Sequence, residues 1–103
     1  MRVIFTPLAI RQLAKLHDDI GFHSSESIAD GYIGRIEAYC LGLETFPLRG
    51  TKRDDLLAGL RTIGFERRVT IAFVVMAEVV LIEGIFYGGR DFEAEFHERK
   101  EES

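Results

Sequence analysis

The sequence has no tryptophan, two prolines and one cysteine among its 103 residues. A single thiol, Cys40, cannot close an internal disulfide, which agrees with a reducing compartment. So few prolines, with 29% charged residues, exclude the composition of a disordered or low-complexity chain. Long apolar runs are also missing. The stretch from Val69 to Ile82 is broken by Thr70 and Glu78 and falls short of the ~20 residues of a membrane-spanning helix, so no membrane contact is expected. The opening MRVIFTPLAIRQLAK has neither the continuous apolar core nor the cleavage site of a secretory signal, and a cytoplasmic location is expected. His17, His23 and His97 are scattered without ligand spacing, and Cys40 falls on an apolar helix face. No metal site, cofactor or Cys-His nucleophile is expected.

What is present suits one core. Hydrophobic residues make up 47% of the chain, with eight Phe and three Tyr, and the length supports a single domain over residues 1–103 with a loose tail from about residue 98. The net charge of −4 is unusual for a protein whose main partner is a polyanion. Its distribution is uneven. Residues 49–68 hold Arg49, Lys52, Arg53, Arg61, Arg67 and Arg68 against Asp54, Asp55 and Glu66, whereas residues 69–103 are strongly acidic. One basic patch on an acidic body follows if the fold gathers those side chains.

Local signals give the element order. Val3-Ile4-Phe5 is β-prone, and Thr6-Pro7 supplies an N-cap and a proline suited to the first helical position. Ala9, Leu13, Leu16 and Ile20 then recur at helical spacing opposite Arg11, Gln12, Lys15, Asp18 and Asp19, predicting about fourteen helical residues closed by Gly21. Ser24 and Ser25 offer a second cap before Ala29, Ile33, Ile36, Cys40 and Leu43, a helix ended by Pro47. Gly31, Gly34 and Gly42 weaken it by up to ~1 kcal/mol each, and on the inner face they would let two antiparallel helices approach closely. Residues 48–58 read as a loop with a short turn at Asp54 to Leu57. Leu60 to Phe65, Val69 to Met76 and Val79 to Tyr87 read as three strands of an antiparallel meander. Both faces of the middle strand are apolar, so helices should cover one and another element or a partner the other. Gly88-Gly89 reads as a bend into a short helix anchored by Phe92 and Phe96. The expected class is α+β, β-α-α-β-β-β with a C-terminal helix and the helical hairpin packed on a small antiparallel sheet.

That order, with Gly59-Leu60-Arg61 opening one strand and Gly88-Gly89-Arg90-Asp91 closing the last, resembles the RelE/ParE family of small bacterial toxins, the ParE branch more than the RelE branch. The resemblance implies the toxin of a type II toxin–antitoxin system, neutralised by a ParD-like antitoxin whose C-terminal segment wraps over the helices and sheet. ParE-type members inhibit DNA gyrase by binding it, without chemistry of their own. RelE-type members enter the ribosome and cut mRNA, and a non-toxic member kept in an autoregulatory complex is a third alternative. Cleavage through a 2′-hydroxyl needs a proton-transfer group beside cations. The RelE tyrosine on the C-terminal helix matches Phe96 here, which cannot exchange a proton, and Arg90 matches a cationic position. Tyr87 falls on the last strand, where packing explains it better than catalysis. No catalytic residue is therefore expected. Arg61, Arg67, Arg68 and Arg90, with Lys52 and Arg53, are the candidates for contact with target or antitoxin.

Overall fold

A computed structural model describes residues 1–88 and 92–102, the last three of these by their backbone alone. Strand β1 (Arg2–Phe5) feeds through Thr6 into helix α1 (Pro7–His23). Thr6 Oγ1 accepts the Ala9 N–H at 3.2 Å, and Pro7 begins the helix where its missing N–H is harmless. The helix runs past Gly21 to His23, further than its apolar pattern predicts, because the Ser24 N–H still reaches the Ile20 carbonyl at 2.8 Å. Ser25 caps α2 (Glu26–Gly42), its hydroxyl accepting from the Ile28 N–H at 3.1 Å. The three glycines of α2 are not at the helix contact. A Cβ at Gly34 or Gly42 would meet nothing within 4 Å, and one at Gly31 only the tip of Arg35. Burial of Ala29, Ile36, Cys40 and Leu43 carries this helix instead.

The sheet has one strand more than the sequence signals. Strand β2 (Thr51–Lys52), inside the stretch read as a loop, pairs antiparallel with β3 (Leu60–Phe65), and two residues are too few to show a period. Strands β4 (Val69–Met76) and β5 (Val79–Tyr87) complete the meander with the predicted bounds. The spatial order is β1-β5-β4-β3-β2. The sheet is mixed, not wholly antiparallel, since β1 lies parallel to β5 with Phe5 opposite Ile82. A parallel neighbour requires a long crossover, and the whole helical hairpin and meander supply it.

A register shift in β5 decides what each face buries. Ala72 pairs with Gly84 but Phe73 pairs with Ile82, leaving Glu83 as the extra residue of a β-bulge. Val80 and Ile82 face the helical hairpin, as do Ile85 and Tyr87 after the bulge, so the parity of the strand has flipped. Phe86 is thereby turned to the opposite face with Leu56, Leu60, Ala72 and Phe96. Gln12, assigned by periodicity to the solvent face of α1, accepts the Ile85 N–H at 2.6 Å, and Thr6 Oγ1 donates to the Glu83 carbonyl at 3.4 Å.

Helix α3 (Phe92–Glu102) lies on that second face, opposite α1 and α2. Its backbone is helical to Glu102, over part of the stretch read from sequence as a tail. Arg99 reaches Glu83 Oε1 at 3.2 Å and sits 4.6 Å above the Phe96 ring. Among the described residues no helix is long and apolar enough to cross a membrane.

Candidate functional site: arginine-aromatic surfaces at two ends of the sheet

The fold divides the basic residues that the sequence places in one stretch. Lys52 and Arg61 face each other across β2 and β3, and Arg61 Nη1 donates to the Arg49 carbonyl at 3.4 Å. Arg67 and Arg68 lie in the turn at the far end of β3, ~20 Å from Arg61 at the usual rise per strand residue. Arg53 belongs to neither group. Its guanidinium forks onto Asp55 at 2.9 and 3.0 Å, reaches Glu93 at 3.4 Å and stacks 5.6 Å over Phe92. The bonds to Asp55 hold the Arg53 pKa above its ordinary value and the Asp55 carboxyl below its own. Arg90 lies outside the described residues. The Gly88 N–H, two residues before it in sequence, donates to the Arg68 carbonyl at 2.7 Å.

Around the β3–β4 turn the surface is an amphipathic groove of about 580 Å³, with Ile20, Ile28, Tyr32 and Tyr87 as its apolar wall and Arg35 and Arg68 as its cations. Tyr32 meets Tyr87 edge to face at 6.3 Å, and Arg35 lies 5.3 Å over the Tyr32 ring. Burial, then the neighbouring Tyr87, pushes the Tyr32 hydroxyl pKa up. Arg35 grips Glu66 through two bonds of 2.9 and 3.1 Å, which raises the arginine pKa and lowers that of the carboxyl. That fork holds a turn in which Glu66 and Arg67 both take positive φ, 44° and 66°, a conformation most side chains resist. Arg68 has no ion pair among the described residues.

Sequence reasoning passed over Tyr32, Arg35 and Tyr39. Their spacing of three and seven residues puts them on one stripe of α2, beside the apolar face that was followed. Tyr39 packs edge to face on Phe65 at 5.3 Å and carries Arg49 at 5.4 Å above its ring. Cys40 is fully buried beneath that stripe, and burial pushes its thiol up to about 12, so it stays protonated and unreactive.

A third polar cluster clamps the helical hairpin. His17 Nε2 lies 2.6 Å from Asp30 Oδ1, joining α1 to α2, with Asp18 at 3.9 Å from the other ring nitrogen. The hydrogen bond to Asp30, aided by the charges of Asp30, Asp18 and Glu26, raises the His17 pKa above 6.5. Because the folded pKa is the higher one, the imidazolium bond stabilises the fold fully below pH ~6.5 and is lost as pH rises through the folded pKa. The melting temperature should therefore fall across that window, and Asp30→Asn should flatten the slope and lower the His17 midpoint in an NMR titration. An unchanged midpoint in Asp30→Asn would show that the bond does not form in solution.

At the other face Phe96 is 1% exposed, against Phe86 at 6.2 Å and beneath the Arg99 guanidinium. The ring occupies a core position, not a groove.

These features define a class: a small α+β domain, with a helical hairpin on one face of a five-stranded sheet and arginine-aromatic surfaces at two of its ends. The sequence profile of the family described as "ParE toxin of type II toxin-antitoxin system, parDE" matches residues 3–92, and the chain belongs to that family. Among solved structures, a chain described as "Chromosomal ParDE TA system from P. aeruginosa" is similar in fold, with a TM-score of 0.75 at 21% identity over 85% of this chain and 96% of that one. No curated protein matches the chain significantly.

Proposed function

We propose that this ParE-family chain is a toxin that inhibits DNA gyrase by protein binding and is neutralised by a ParD-like antitoxin. The burial of Phe96 carries the choice of mechanism. The helix position that would need a proton-transfer group for mRNA cleavage holds a side chain with no ionisable atom, sealed in the core against Phe86. Without that group the surface keeps its cations for binding a target, while one of the two proton transfers that cleavage through a 2′-hydroxyl requires loses its partner on the helix. Lys52, Arg53, Arg61, Arg67, Arg68 and Arg90 are proposed as contacts with target or antitoxin. The groove at Tyr32 and Tyr87, apolar with Arg35 and Arg68 on its rim, has the chemistry to hold an acidic amphipathic antitoxin segment.

Expression without antitoxin should arrest growth with filamentation and a DNA-damage response, because replication and not translation is blocked. Purified protein should inhibit supercoiling by gyrase. If gyrase is unaffected while mRNA is cut on translating ribosomes, the RelE-like alternative holds instead.

A further inference from the structure

We infer, on the toxin reading above, that the end of the molecule formed by the α2–β2 loop and the β2–β3 edge is the target-gripping surface, and that it takes an acidic protein segment bearing apolar side chains. Phe46 and Leu48 are 66% and 71% exposed, yet they belong to a loop that is firmly fastened. Arg49 Nη2 donates to the Tyr39 hydroxyl at 3.2 Å, Arg61 donates to the Arg49 carbonyl, and Gly50 lies against the Thr62 carbonyl. Two large apolar side chains are thus held out to solvent with their backbone already ordered, which lowers the entropy lost on docking.

The charges beside them lack an internal counter-ion among the described residues. Lys52 and Arg61 are directly opposite on neighbouring strands, where like charges destabilise a sheet. The acids next to them in sequence are engaged elsewhere, Asp54 by the Gly59 N–H at 2.8 Å and Asp55 by Arg53. Arg49, Lys52 and Arg61 have no carboxylate partner among the described residues. An external carboxylate would relieve their repulsion. Three cations on a chain of net charge −4 are few for a nucleic acid, whose grip grows with every phosphate neutralised. Arginine beside exposed aromatic and aliphatic anchors is instead the make-up of a protein-binding hot spot.

The test compares wild type with Lys52→Glu/Arg61→Glu and with Phe46→Ser, each checked by thermal melting, in growth arrest on expression and in gyrase supercoiling inhibition. Both variants should melt as cooperatively as wild type. The charge reversal should raise survival at least about 100-fold, and each variant should need at least about tenfold more protein to inhibit gyrase. Full arrest by folded variants would overturn the assignment. If the charge reversal alone were unfolded, Phe46→Ser, at an exposed position, would decide it. A wild type that arrests growth without touching gyrase would remove the gyrase reading, while the arrest assay still decides the surface. A wild type that does neither would overturn both. Tight, salt-sensitive binding of wild type to a double-stranded DNA oligonucleotide, lost in the charge reversal but kept in Phe46→Ser, would replace the protein segment by a nucleic acid and overturn the occupant named here.

Discussion

Phe96→Ala is expected to destabilise the protein by ~3–5 kcal/mol, the range for removing a fully buried aromatic ring. Helix α3 has eleven residues, FEAEFHERKEE, too few to persist in water on their own. Its apolar hold on the sheet comes from Phe92 and Phe96, with Phe96 the more deeply buried, packed into the cluster of Leu56, Leu60, Ala72 and Phe86. Removing the ring also strips the surface on which Arg99 lies and loosens the tie from Arg99 to the bulge at Glu83. For a domain of this size ~3 kcal/mol lowers the melting temperature by more than about 10 °C. Calorimetry on the purified variant checks this, and a shift below about 4 °C would place Phe96 at a surface and reopen its role as a contact. The lost helix content should appear by circular dichroism below the main transition.

Gly50→Ala should cost roughly 2–4 kcal/mol for a different reason. Gly50 has φ +78°, and a Cβ there would collide with the Thr62 carbonyl oxygen. That oxygen belongs to β3, which is fixed between β2 and β4 and cannot retreat. The loop must swing away, losing the Thr51 and Lys52 pairing along with the Arg49 and Arg61 contact. Gly59→Ala separates the two contributions, since φ is +81° but the nearest atom to the added Cβ, in the Val74 side chain, is 3.6 Å away. Only the left-handed backbone penalty of ~1–2 kcal/mol should remain there. Equal melting shifts for the two variants would mean that the close approach of Gly50 to β3 does not exist in solution.

The element order was legible because its signals are local. Thr6-Pro7 and Ser25 each set a helix start within three residues, and the runs from Leu60, Val69 and Val79 announce strands whose bounds the structure reproduces. The likeness to the ParE toxins rests on the same order, and the family match over residues 3–92 agrees with it. The apolar stripe Ala9, Leu13, Leu16 likewise identified the buried side of α1, because helical spacing alone fixes which side chains share a face.

Other features depend on residues far apart in the chain. That Phe86 faces α3 and Ile85 faces the helices follows from one extra residue at Glu83, and no strand period reveals where a bulge will fall. The parallel place of β1 beside β5 joins Phe5 to Ile82. Whether neighbouring arginines share a surface was likewise beyond the sequence, since Arg53 turns to Asp55 and Glu93 while Lys52, one residue before it, turns to Arg61. Composition and spacing thus determined every element except the two-residue β2, through hydrogen bonds and periods that close within a few residues, and the order of those elements carried the resemblance to the family. Strand register, the bulge and the division of the basic residues were decided only by the tertiary structure, because they arise from contacts between residues that only the folded chain brings together.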